Sequence, residues 1–177
     1  MVGLEQYILL MLGPVFVGFV LWELGWLRRH KERYPRANYS WADTVSNAVL
    51  ALLHQGGDAL AAIAIAYAYD WFFGLRLFDI PVSLWSIALL LLLQDFCYYW
   101  FHRASHRIRW FWASHVVHHS SESLNLSTAF RQSLTYPVSG MWLFWIPLLL
   151  IGFKPQAVVA AVLVNLAYQF FVHTQVV

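Results

Sequence analysis

Val82–His119 reads VSLWSIALLLLLQDFCYYWFHRASHRIRWFWASHVVHH, an aliphatic run that leads straight into five histidines. A bilayer core is crossed by about 20 apolar residues in helical form, and the stretch from 82 to 102 has that length and character. The histidines are spaced His102-x-x-x-His106 and His115-x-x-His118-His119, and a sixth follows at His173. Imidazole binds iron, zinc, copper or nickel while remaining neutral, so a histidine-only group beside a membrane points to a metal centre rather than a charged surface.

The rest of the chain agrees with a membrane setting. Of its 177 residues 60% are apolar and only 11% charged, which is not the balance of a soluble domain. Hydropathy and punctuation predict a first span near 5–27, a polar basic loop near 28–43 and a second span near 44–73. Asp79 and Pro81 mark a connection to the third span. Pro137 is expected to open an apolar helix to about Ile151, Gly152–Pro155 to turn, and a last helix to return to about His173. Glu5 precedes the first span and Arg28, Arg29, Lys31, Arg33 and Arg36 follow it, the pattern of a retained anchor rather than a cleaved signal peptide. The net charge of +2 comes from basic residues flanking a span, so nucleic acid is not an expected partner. Cys97 is the single cysteine and has no intrachain partner, which excludes a disulfide framework. The expected fold is all-α: one polytopic membrane domain, 1–177, of about four transmembrane helices, with an anchor helix and basic loop over 1–39.

Basic residues in short loops mark the cytoplasmic side, which orients this map. The second span then exits and the third returns, so His102–His119 emerge on the cytoplasmic face, and the 137–173 hairpin delivers His173 there too. Trp22, Trp26, Trp100, Trp110 and Trp112 fall near that interface, where aromatic belts form.

Residues four apart share a helical face, so His102 and His106 can ligate one metal from adjacent turns, and His115, His118 and His119 are likewise one-faced. Nine residues at about 100° each would put His115 opposite His106 on an unbroken helix, so the helix must bend or restart around Arg107–Phe111. His30 and His54, each alone, read as hydrogen-bonded structural residues. His-Glu-x-x-His and Glu-x-x-His are absent, so neither a zinc protease nor a carboxylate-bridged di-iron bundle is supported. Asp95 lies two turns before His102, and a carboxylate inside an apolar span is costly; a role in orienting a ligand imidazole would justify it, and a pair with Arg131 is the alternative. Tyr99 shares a face with Asp95 and completes that expected network. Glu23 and Asp58 read as structural, while Glu122 and Asn125 are placed to orient ligands or cap a helix.

The segments Asp95-Phe-Cys-Tyr-Tyr-Trp-Phe-His102-Arg-Ala-Ser-His106, His115-Val-Val-His118-His119-Ser-Ser-Glu122 and Asn125-Leu-Ser-Thr-Ala-Phe-Arg131-Gln-Ser resemble the fatty acid hydroxylase and sterol desaturase superfamily. The likeness covers roughly 40–177 and looks closest to the bacterial sterol-desaturase-like branch that also resembles alkylglycerol monooxygenase. It implies a di-iron site at the cytoplasmic face, here of a bacterial inner membrane, that hydroxylates or desaturates a lipid with dioxygen and an external electron donor. On the same resemblance His102, His106, His115, His118 and His119 are metal ligands. Gln169-Phe-Phe-Val-His173 looks like a third box in which Gln169 replaces a histidine, leaving His173 as the ligand. Family members continue into a further histidine-rich box, so the resemblance implies either a fragment of a longer oxygenase or a truncated paralogue with an incomplete site. A metal transporter is the competing reading, but transport sites usually sit near the bilayer midplane and these histidines gather at one end.

Overall fold

The computed structural model describes residues 5–35 and 37–176, with side chains from Leu12 onward. The side chain of Glu5 and the whole of Arg36, which frame the first span and its basic flank in the sequence, lie outside the described residues. Helices account for all the regular structure among those residues.

Helix α1 (Glu5–Arg29) keeps Pro14 in its interior and ends on the basic pair Arg28 and Arg29, where cations suit the helix dipole. Helix α2 (Trp41–Gly74) has 34 residues, about 51 Å at 1.5 Å per residue, so it is longer than a hydrocarbon core of about 30 Å. Its first two turns carry Asp43 and Asn47 into a polar network and need not enter lipid. Helix α3 (Leu84–Arg107) starts at a capping box in which Ser83 and Ser86 satisfy each other's backbone N–H. α2 and α3 are long and apolar enough to cross a membrane. Their large apolar side chains face outward, with Leu60 87% and Trp85 85% exposed, as lipid-facing residues would be.

The five helical limbs run back and forth between two ends. α2 descends from the histidine end, α3 climbs back, the 136–151 limb descends, and α7 (Pro155–Phe170) returns. At the far end Leu77 N–H donates to the Leu150 carbonyl at 2.7 Å. The aromatic and aliphatic core, Tyr69, Leu90, Phe101, Trp145, Leu148 and Val158 among others, sits between α2, α3, the descending limb and α7. A second cluster joins α1 to α7 through Phe16 and Phe170, whose rings are 4.5 Å apart.

The single apolar helix expected from Pro137 to Ile151 is broken in three. α5 (Tyr136–Ser139) stops at Gly140, whose φ of +85° is left-handed; Met141–Trp145 is a 3₁₀ segment, and α6 (Ile146–Ile151) comes after it. Apolar composition could not reveal this, because glycine both continues a weak helix and ends one. Gly152 has φ +127°, and a Cβ there would run into the Phe78 carbonyl. Gly152→Ala is therefore expected to cost about 1–3 kcal/mol from backbone strain alone, before the clash is counted. A thermal melt in detergent tests this, and an unchanged midpoint would contradict it.

Candidate metal centre

The turn required between the two histidine groups falls at Ile108. α3 ends at Arg107, Ile108 is extended (φ −108°, ψ 119°), and α4 (Arg109–His115) starts at once in a new direction. The consequence is that His102 and His106 on α3 face His115 on α4 and His119 on the next 3₁₀ turn, His118–Ser120. One ring nitrogen from each of these four lies within 4.8 Å of the others. The Nε2 atoms of His102 and His106 are 3.1 Å apart, as are those of His115 and His119.

His118 does not join this group, although spacing puts it on a face with His115 and His119. Helix α4 ends at His115, and the looser turn beyond it rotates His118 toward α7, where its Nε2 lies 3.0 Å from that of His173. Six imidazoles thus form a group of four and an adjacent pair, with His115 and His118 ring centroids 5.7 Å apart.

In four of the six rings Nδ1 is engaged on the outside. His118 Nδ1 donates to the Arg131 carbonyl at 2.9 Å and His173 Nδ1 to the Gln169 carbonyl at 2.7 Å. His115 Nδ1 meets the Tyr136 hydroxyl at 3.0 Å and His102 Nδ1 the Tyr98 hydroxyl at 3.3 Å. The two carbonyl bonds fix the Nδ1–H tautomer of His118 and His173, and all four outer bonds turn Nε2 inward, the usual support of a metal-binding histidine. Burial pushes the His115 imidazole down to about 3, reinforced by His102 and His119. Burial also lowers His118, His119 and His173, although the Arg131 and Gln169 carbonyls oppose it at His118 and His173. Neutral, inward-facing nitrogens suit a borderline metal such as iron, so the donor set fits the metal that the sequence resemblance implies. His106 and His119 are exposed, so the centre is open on one side.

These shifts make stability depend on pH. The unfolded chain has histidine near 6.5; His115 folded is lower, so as pH falls the unfolded chain binds the proton first. Stability of the metal-free protein is full above about pH 6.5 and declines toward pH 3, by about 1.4 kcal/mol per pH unit for each histidine so buried. Denaturant unfolding at pH 7.5, 6 and 5 measures it; equal stability at all three would refute a buried neutral cluster.

Other residues singled out in the sequence fall differently. Tyr99 is not part of the network: its hydroxyl accepts from Arg103 at 3.1 Å, and Tyr98, one position earlier, reaches His102 instead. Asp95 touches no histidine and does not pair with Arg131; Asn165 Nδ2 donates to it at 3.4 Å. Arg131 is buried with Asp43 at 2.5 Å, Asn47 at 2.6 Å and Ser120 at 2.7 Å. Asn125 caps the 3₁₀ segment Leu126–Phe130, while Glu122 is exposed. His54 contacts Asp58 at 3.4 Å and the Ser133 carbonyl at 3.1 Å, and His30 Nδ1 donates to the Trp26 carbonyl at 2.9 Å. Trp112 lies against His106 and His119, with ring centroids 5.5 and 5.9 Å away.

Glu23 does more than its position suggests. Fully buried, it accepts from the Tyr39 hydroxyl at 2.5 Å, from Leu126 N–H at 2.7 Å and from the Thr174 hydroxyl. It ties α1 to the segment after the second histidine group and to the residue beside His173. Burial, then the Glu23 bond, pushes the Tyr39 hydroxyl well above its ordinary range. Its sequence signal is weak, since a glutamate near the end of a span usually reaches water. Asn125 Nδ2 donates to the Asn38 carbonyl at 3.3 Å, so the loop after α1 packs at the histidine end.

The fatty acid hydroxylase family model matches residues 87–177, which include all six clustered histidines. The chain is 37% identical over 167 residues to alkylglycerol monooxygenase of Danio rerio, covering 93% of this chain and 36% of that protein. It is 46% identical over 114 residues to the Homo sapiens alkylglycerol monooxygenase and 40% over 113 residues to that of Xenopus tropicalis, each match covering 63% of this chain and 25% of the relative. The chain therefore spans about a third or less of the length of these curated relatives. No solved structure matches it significantly. Both histidine groups and the residues that hold them from α3, α4 and α7 lie inside the matched span, and the chain belongs to the fatty acid hydroxylase family.

Proposed function

We propose that the protein carries the histidine centre of a membrane lipid monooxygenase acting on an alkylglycerol-type lipid. The observation that carries this reading is the convergence of six imidazoles in a group of four and a pair at the end of a helix long enough to span a bilayer. The name shared by the relatives supports both reaction and substrate class. The balance is R–H + O₂ + 2e⁻ + 2H⁺ → R–OH + H₂O, with the electrons drawn from an external reductant or electron-transfer partner.

His102, His106, His115 and His119 would hold one iron, and His118 and His173 would contribute to a second. When bound, the two irons supply the activation of dioxygen that amino-acid side chains lack. The chain's own residues turn ring nitrogens inward, keep His115, His118, His119 and His173 neutral by burial, and provide an apolar path. A cleft of about 510 Å³ between α3 and the descending limb is lined by Leu93, Phe96, Cys97, Trp100, Phe144 and Leu148 among others. It opens sideways and would seat a hydrocarbon tail, with Phe101 between it and His115. In this reading α1, α2 and α3 cross the bilayer, the 136–151 limb and α7 make a hairpin that goes out and comes back, and the loop after α1 makes the histidine end cytoplasmic, within reach of a soluble reductant.

The test is metal analysis of the full-length protein, with reductant, alkylglycerol and ¹⁸O₂ supplied in nanodiscs. About two irons per chain and one ¹⁸O atom in the lipid product are expected. Protein without iron overturns the reading, and metal flux across vesicles without lipid oxidation would favour a transporter.

A further inference from the structure

A carboxylate can only accept hydrogen bonds, and Asp95 stands at one end of a continuous line of side chains whose other end is His102. Asn165 Nδ2 donates to Asp95 Oδ1 at 3.4 Å, which turns the Asn165 carbonyl oxygen toward Gln169. Gln169 Nε2 donates to that oxygen, leaving Gln169 Oε1 to face Tyr98. The Tyr98 hydroxyl donates to Oε1 at 2.6 Å. With its proton committed, the Tyr98 oxygen has only lone pairs to offer His102 Nδ1 at 3.3 Å, so Nδ1 bears the proton and Nε2 the lone pair. Every link points the same way because the carboxylate has no proton to give.

We infer that Asp95, acting through Asn165, Gln169 and Tyr98, sets the tautomer of His102 and so aims its Nε2 lone pair into the four-histidine group. These four are positioning residues. Their importance for metal binding rests on the metal-centre reading, whereas the tautomer is a property of the protein alone. The arrangement accounts for two oddities. A carboxylate on the apolar helix α3 is costly unless it serves a site, and glutamine at 169 supplies at once the donor and the acceptor the line needs. His118 and His173 are oriented by backbone carbonyls, which accept irrespective of any side chain; His102, held by a hydroxyl that can donate or accept, needs its direction imposed.

Two-bond ¹H–¹⁵N correlation of the metal-free full-length protein, labelled at histidine and held in nanodiscs, reads each tautomer. The His102 signal is identified by its loss in His102→Gln. Wild type is expected to show the Nδ1–H form. Tyr98→Phe removes the acceptor and is expected to move His102 toward the Nε2–H form, whereas Asp95→Asn keeps an acceptor but adds a donor, so the line can run either way and a mixture of the two tautomers is expected. Asp95→Asn combined with Gln169→Glu places a carboxylate directly against Tyr98 and is expected to restore Nδ1–H. An Nε2–H His102 in wild type, or unchanged tautomers in both single variants while the His115 signal shows an intact fold, overturns the inference. Cobalt(II) titration gives the second readout, with affinity expected to fall roughly 10- to 100-fold in Tyr98→Phe. Wild-type protein that binds no cobalt would overturn the metal-centre reading while leaving the tautomer result to stand.

Discussion

His115→Ala is expected to lose more than about 100-fold in lipid oxidation and to lose metal from the four-histidine group, while the fold persists. Replacing residues that merely orient a metal ligand typically costs 10- to 100-fold, and removing a nitrogen from the group itself should cost more. His115 is the histidine on which the others converge. It is 3% exposed, its Nε2 is 3.1 Å from that of His119, and its ring centroid lies 4.8 Å from His102 and 4.9 Å from His106. Its outer nitrogen is held by the Tyr136 hydroxyl, which orients the ring. His30→Ala is the control, because His30 bonds only within its own segment. The measurement is metal content alongside turnover and the circular dichroism spectrum. A His115→Ala protein that keeps both metal and turnover would sink the four-histidine site.

Arg131→Met is expected to destabilise the protein by about 3–5 kcal/mol, the usual cost of leaving one partner of a buried ion pair uncompensated. The Arg131 and Asp43 side chains are only 9% and 19% exposed, and the guanidinium also donates to Asn47 and Ser120. Three acceptors around one planar donor mean that Arg131→Lys should not restore stability, since an ammonium lacks the fork. Arg131→Met with Asp43→Leu should recover much of the loss, because removing both charges avoids the orphan. The effect reaches the centre, since the carbonyl of this residue holds His118 Nδ1. Thermal unfolding of the three variants decides it, and an Arg131→Met protein within about 1 kcal/mol of wild type would contradict the argument.

Much of the centre is legible in the chain itself. Two residue spacings and a phase argument require a break near Arg107–Phe111, and α3 ends and α4 begins on either side of Ile108. Helical phase is less decisive one turn earlier. Tyr98 and Tyr99 lie on opposite sides of His102 by similar angles, and only packing against Gln169 chooses Tyr98. The division of the histidines into four and two is not legible either, because it depends on α4 ending at His115 and on where α7 delivers His173.

The features that covalent order and local period dictate are readable along the chain: helical limbs from apolar runs, a set of nitrogen donors from the imidazoles, and their grouping at one end. Tertiary structure alone decided the pairings between residues far apart in the chain. Glu23 meets Leu126 and Thr174, Asp43 meets Arg131, Tyr136 meets His115, and Asp95 is linked through α7 to His102. The physical reason is that a buried polar group must find its partner wherever packing brings one, and hydrogen-bond satisfaction has no period along the chain that a sequence could display.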